Sequence, residues 1–186
     1  MEEPSHSSLP SGCIFTHSGL RFHPLDPRAQ DIRIDDIGHA LAHQCRFGGH
    51  TRQFYSVAQH SVLVSQLYRP EDALWGLLHD ASEAYLQDVC RPLKDSVEFR
   101  AYRAAESRLQ RCIVQRFGLA PEQPTSVKAA DDWMLAVEAR DLTATGGHYV
   151  AAPPAHVTVS ITTPWQPQRA ARAFLNLFER LFESGS

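Results

Sequence analysis

Apolar residues recur at helical spacing through most of this chain, and prolines and paired glycines mark the intervals between them. Val57, His60, Val64 and Leu67 form one stripe. It is headed by Ser56, with Gln59 three residues on, which is a capping-box pattern. Arg69-Pro70 turns the chain, and Asp72 is placed to cap a helix carrying residues 74–85. Val97, Tyr102, Leu109, Ile113 and Phe117 predict an amphipathic helix over residues 95–117, stopped by Gly118 where a left-handed terminal residue belongs. Thr125 or Ser126 caps a further helix that runs to about Leu142, ahead of Gly146-Gly147. Ala170, Phe174, Leu177, Phe178 and Leu181 share one stripe of a last helix over residues 168–182. Nearer the start, Asp35-Asp36 predicts an N-cap for a short helix over residues 37–42, closed by the turn Arg46-Phe47-Gly48-Gly49-His50.

Strand signals are confined to the N-terminal side. Short apolar stretches flank Ser18-Gly19 between Ile14 and Phe22, which predicts a small β-hairpin. Residues 1–12 read as a disordered tail, and residues 148–164, rich in Pro, Thr and Val, as loop or extended chain. With no internal repeat and no βαβ alternation, the expected fold is an all-α helical bundle with a small N-terminal β-hairpin, forming one domain over residues 13–184.

Composition narrows the function classes. The chain has 186 residues, 43% hydrophobic and 21% charged, enough for a real core without staples. Its net charge of −3 argues against a nucleic-acid polymer as partner, while leaving room for a small anionic ligand. No apolar run approaches the roughly 18 residues a membrane span needs, and the acidic start is unlike a secretory leader. Four scattered cysteines without a CxxC pair suggest neither a thiolate metal site nor a disulfide framework, so reduced thiols in a cytoplasm are expected.

The chemistry gathers around His79-Asp80, where an apolar helix meets Glu83 and Asp88. Any one histidine on an apolar face is more often a hydrogen-bonded core residue than a ligand, and Asp131-Asp132 alone reads as a solvated helix face. The combination His60, His79, Asp80 and Asp131 is more specific, because helical bundles build metal sites from facing side chains. Two imidazoles and two carboxylates suit a divalent metal such as Zn, Mn, Co or Fe. Adjacent helical residues face different ways, so His79 and Asp80 can reach one ion only where the helix presents its side or its end. Glu83 falls four residues after His79, on the same face of a continuous helix.

With these residues in view, the chain resembles the HD-domain phosphohydrolases, a superfamily named for a metal-binding His-Asp doublet. Within it the chain is similar to bacterial 5′-deoxynucleotidases of the YfbR/YfdR type, with YfdR-like proteins nearest. The matching segments are Cys45 to His50, Phe54 to Ser61, Leu77 to Asp88, Pro92-Leu93-Lys94 and Val127 to Asp131, collinear over residues 14–145. The resemblance implies one divalent ion (Mn, Co, Zn, Fe or Mg) held by His60, His79, Asp80 and Asp131. It gives Glu83 the attacking water, and Asp88 the sugar or a share in proton transfer. It sets Arg46 on the phosphate, with His50 and Lys94 as lesser phosphate contacts. Phe47 stands where better-studied relatives carry a tryptophan against the sugar. The implied reaction releases orthophosphate from a small-molecule nucleotide, a deoxynucleoside 5′-monophosphate. A deoxynucleoside triphosphate triphosphohydrolase and a non-catalytic nucleotide sensor are the alternatives. Relatives of this type are often dimers, so a homodimer is also implied.

Overall fold

The computed structural model describes residues 12–67, 69–148 and 150–184. The tail expected over residues 1–12 therefore lies, apart from Gly12, outside the described residues. Strands β1 (Ile14–Phe15) and β2 (Arg21–Phe22) pair antiparallel, with Ile14 opposite Phe22. The helices that follow are α1 (Ile34–His43), α2 (Val57–Gln66), α3 (Ala73–Leu78), α4 (Glu83–Leu86), α5 (Arg91–Lys94), α6 (Arg100–Phe117), α7 (Thr125–Leu142) and α8 (Pro167–Ser184). The fold is an all-α bundle preceded by a small hairpin, as the periodicity predicts.

Helix α2 is the axis of the bundle. Eight of its ten residues are buried, so it has almost no solvent face and each buried polar group on it needs a partner inside. On one side Val62 packs with Leu41, Leu77, Ile113 and Phe174. On the other, Val64 packs with Trp75, Met134 and Val137. The Ser56 hydroxyl accepts the Gln59 backbone N–H, as the capping pattern requires. The return leg of a capping box is absent, because the Gln59 side chain instead accepts from the Trp165 backbone N–H at 2.7 Å. Ser61 and Ser65 donate to the carbonyls of Val57 and Ala73.

Gly76 lets α3 press against α2: a Cβ at this position would lie 3.0 Å from the Ser65 Cα, a backbone atom that cannot swing aside. The glycine thus brings the end of α3 close to His60.

Four sequence expectations are corrected. The helix over residues 74–85 is broken into α3 and α4, with His79 to Ser82 in the turn between them. The helix expected from residue 95 starts at Arg100, after a 3-10 turn over Val97–Phe99, and Val97 is exposed. Asp35 and Asp36 lie inside the first turn of α1 rather than at its cap. The Asp36 carboxylate accepts the Ser18 backbone N–H at 2.6 Å and its hydroxyl at 2.9 Å, which ties the hairpin loop to α1. Asp72 does hold the N-cap position of α3, though its side chain makes no capping bond there, but neither Thr125 nor Ser126 is the N-cap of α7, which is Pro124. Ser126 and Asp72 instead hydrogen-bond to each other across the bundle. Gly118 does end α6 in the left-handed conformation, φ 68°, with the Leu119 N–H returning to the Val114 carbonyl.

Candidate metal centre and its cavity

Three elements aim nitrogen and oxygen at one point. His60 comes from the middle of α2, His79 from the residue after α3 ends, and Asp131 from α7. One donor atom from each lies within 4.8 Å of the others. His79 Nδ1 donates to the Gly76 carbonyl at 2.7 Å, and His60 Nδ1 donates to Glu138 Oε1 at 2.6 Å. Both acceptors can only accept, so in the neutral rings each Nε2 carries a lone pair. Those two Nε2 atoms face each other at 3.2 Å. Such a pairing is repulsive unless a proton or a cation sits between them.

The spacing fits an ion. A first-row divalent metal bound at about 2.1 Å sets neighbouring donors roughly 3.0–3.4 Å apart. Asp131 Oδ1 is 3.3 Å from His60 Nε2 and 3.8 Å from His79 Nε2. Asp80 Oδ2 is 3.2 Å from His79 Nε2 and 3.6 Å from His60 Nε2. Charge fits as well. Three carboxylates, Asp80, Asp131 and Glu138, stand against one guanidinium, Arg46, which leaves two negative charges for a divalent cation to balance. The cluster can hold a metal ion, and it supports a metal-dependent hydrolytic site.

The metal-free electrostatics carry the same imbalance. Burial opposes protonation of His79, but the Asp80 and Asp131 carboxylates more than offset it and hold its pKa well above the ordinary value. Burial likewise opposes ionisation of Asp131, yet the two imidazoles keep its carboxyl far below the usual range. A cation entering here displaces protons from the histidines.

The turn between α3 and α4 answers the geometric demand of the His-Asp doublet. Since the helix ends at Leu78, His79 and Asp80 are free to approach the same point. The same break corrects the placing of Glu83, which is the first residue of α4 and not one turn further along a continuous helix. Glu83 Oε1 receives Lys94 Nζ at 3.3 Å, while Oε2 is buried with no hydrogen-bond partner among the described residues. Burial, with the Asp80 and Asp88 carboxylates nearby, pushes the Glu83 carboxyl well above its usual range. Asp88 is raised too, again mainly by burial.

A cavity of about 380 Å³ opens beside the cluster, and Arg46, Phe47, Asp80, Glu83, Asp88, Lys94 and Asp131 all reach its wall. Nine of the ten residues singled out from sequence are thus brought together, seven as lining and two, His60 and His79, at the cluster behind it. Arg46 is held from behind, its Nε donating to Glu138 Oε2 at 3.1 Å and its Nη1 to Asp80 Oδ2 at 3.4 Å. Phe47 adopts φ 55°, a left-handed conformation uncommon for a bulky side chain, beside the glycines of the 3-10 turn Arg46–Gly49. Lys94 is engaged by Glu83 and, at 2.7 Å, by Glu106. His50 is exposed and is not among the residues that line the cavity.

Two residues were missed from sequence. Arg91 lines the cavity, with its guanidinium 3.6 Å from Asp132 and 3.9 Å from Asp131. Glu138 is fully buried behind His60. Its signal was available, since it follows Asp131 by seven residues and so lies two helical turns along the same face of α7.

No family model matches the chain. Over 173 residues it is 40% identical to the uncharacterized protein YfdR of Escherichia coli (strain K12), covering 91% of this chain and 96% of that protein. It is also 37% identical over 138 residues to an uncharacterized protein of Rhodobacter capsulatus, covering 67% of this chain and 70% of the relative. Among the described residues no helix is long and apolar enough to cross a membrane. On this extent of identity, the chain belongs to the family of the Escherichia coli YfdR protein.

Proposed function

We propose that the chain is a divalent-metal-dependent phosphohydrolase of the HD-domain superfamily, a 5′-nucleotidase that releases orthophosphate from deoxynucleoside 5′-monophosphates. The observation that carries this reading is the facing pair of Nε2 atoms, His60 and His79 at 3.2 Å, flanked by Asp80 and Asp131 at the wall of a cavity that Arg46 and Arg91 also line. His60, His79, Asp80 and Asp131 are the residues that would hold the ion, which would supply Lewis-acid activation of a water and of a phosphoryl oxygen.

The chain's own groups divide the remaining work. Arg46 presents its guanidinium to the cavity from a fixed mount, and Arg91 stands at the same wall; together they would bind and orient a phosphate dianion. Glu83 keeps one carboxyl oxygen unpartnered beside the cluster and would take a proton from the attacking water. Asp88, also at the wall, would meet the sugar or return a proton to the departing 5′-oxygen. Phe47 offers the sugar an aromatic surface. Three cations, Arg46, Arg91 and Lys94, share the cavity with five carboxylates, and Lys94 is already paired. That balance favours a monophosphate over a triphosphate. The four scattered cysteines, with no CxxC pair, are in keeping with a cytoplasmic enzyme.

The test is a screen of nucleoside mono-, di- and triphosphates against Mn, Co, Mg and Zn, with the phosphorus product identified. Orthophosphate from deoxynucleoside monophosphates supports the reading. Tripolyphosphate from a deoxynucleoside triphosphate would replace it with the triphosphohydrolase, and nucleotide binding without turnover would replace it with a sensor.

A further inference from the structure

Behind His60 lies a carboxylate that touches nothing in the cavity and yet is fully buried. Glu138 Oε1 accepts from His60 Nδ1 at 2.6 Å and from the Tyr55 hydroxyl at 2.9 Å. Glu138 Oε2 accepts from Arg46 Nε at 3.1 Å. Burying an isolated carboxylate costs several kcal/mol, roughly, even after relaxation. Here three donors, one of them a guanidinium, surround it.

The consequence falls on the imidazole. A neutral ring has one N–H and one lone pair, and an ionised carboxylate at Nδ1 claims the N–H. The lone pair is then fixed on Nε2, 3.2 Å from His79 Nε2 and 3.3 Å from Asp131 Oδ1. His79 obtains the same result from a backbone carbonyl, Gly76 O, which cannot be changed by substitution of its side chain. On α2, however, the carbonyls are committed to the helix, and a side chain from α7 must do this work.

We propose that Glu138 is the positioning residue of the metal site: it sets the tautomer and the ring orientation of His60, with Arg46 and Tyr55 holding the carboxylate in place. This rests on the reading that the His60–His79–Asp131 cluster binds a divalent metal. Outer carboxylates of this kind typically change metal affinity about 10–100-fold when removed.

The experiment titrates Co(II) and Mn(II) into chelator-stripped full-length protein by calorimetry, with the Co(II) visible absorption spectrum as a second readout. Glu138→Gln is expected to raise the Kd about 10–100-fold and to shift the Co(II) bands, Tyr55→Phe to do so less because the His60 bond remains, and Glu179→Gln, an exposed substitution on α8, to stay at the wild-type value. An unchanged Kd and spectrum in a folded Glu138→Gln protein would overturn the proposal. If Glu138→Gln does not fold, histidine nitrogen NMR of the zinc-loaded wild type decides instead. His60 protonated at Nδ1 and ligated through Nε2 supports the role, and the opposite tautomer ends it. If wild-type protein binds no divalent metal at all, the metal reading itself fails, and this inference with it; that result is distinct from equal binding by both proteins.

Discussion

Two halves of one site are built in opposite ways. The inner half, His60, His79, Asp131 and Glu138, stands on or at the ends of the bundle's helices, with each imidazole Nδ1 tied to an acceptor and each Nε2 aimed at the shared point. The outer half, from Glu83 to Lys94, rides on two four-residue helices and the turn between them. It contains a buried carboxyl oxygen without a partner and a non-glycine residue, Gln87, at φ 72°. The inner half is over-determined, as a ligand set must be to select one geometry. The outer half stores unsatisfied polarity and backbone strain, and the proposed proton transfer and substrate contacts are placed there.

The sharpest way to break this comparison is to remove one residue from each half. Asp131→Asn should abolish metal retention, read by elemental analysis after gel filtration, and lower phosphate release by more than about a thousandfold. Glu83→Gln should lower release about 10²–10⁴-fold while leaving metal content at the wild-type level. If both variants lose metal alike, the two halves are not separable and the role given to Glu83 falls.

A smaller effect follows from the cations. Arg46 is nearly buried between Glu138 and Asp80, whereas Lys94 is about a quarter exposed between Glu83 and Glu106. Arg46→Ala leaves a buried carboxylate uncompensated and should cost about 3–5 kcal/mol in urea unfolding of the metal-free protein. Lys94→Ala, in the half open to solvent, should cost about 1 kcal/mol or less. Equal losses would show that the outer half is as rigidly built as the inner.

The same contrast explains what could be read from the sequence. The bundle, its long helices and the hairpin were legible because apolar spacing, Ser56 and Gly118 act locally. His60 and Asp131 were legible because they interrupt apolar faces. The break after Leu78 was not, since the run from Leu74 to Tyr85 keeps a helical pattern and residues 79–82 include neither glycine nor proline to mark a turn. Glu138 was passed over because a lone glutamate on a helix ordinarily faces solvent; its burial depends on Arg46 and Tyr55, some 80–90 residues away. Lys94 looked like a phosphate contact, and its pairing with Glu106 comes from α6, which no local pattern reveals.

Protons offer a milder test of the inner half. Without metal, His60 and His79 bind their protons more tightly folded than unfolded, and so does Glu83 in the outer half. Each contributes stability that is complete below its unfolded pKa, about 6.5 for histidine and 4.3 for glutamate, and that is lost as pH rises through its raised folded value. Asp80 and Asp131 have depressed values, and their contribution disappears only in strong acid. Metal-free protein should therefore melt at progressively lower temperature as pH rises above about 6.5. Protein loaded with Mn(II) should show a flatter profile, because the cation replaces the histidine protons. A melting temperature that rises with pH in the metal-free protein would contradict the tight proton binding ascribed to both halves.

The smallest expected effect isolates strain in the outer half from its chemistry. Gln87 sits at φ 72°, ψ 153°, a region populated almost only by glycine, immediately before Asp88. The backbone accepts this because the Gln87 N–H donates to the Glu83 carbonyl at 2.8 Å and its own carbonyl accepts the Tyr102 hydroxyl at 2.7 Å. Gln87→Gly removes the Cβ conflict and keeps both bonds, but it also frees the unfolded chain. The two contributions oppose each other, and relief of about 1–3 kcal/mol should exceed the roughly 1 kcal/mol lost to unfolded-state entropy. A rise in melting temperature of a few degrees at most is expected. Because the bend no longer enforces where Asp88 points, KM for the nucleotide should rise while metal affinity stays unchanged. Were Gln87→Gly instead to weaken metal binding, the bend would belong to the inner half, and the division between a saturated ligand set and a strained reactive face would have to be redrawn at Asp88.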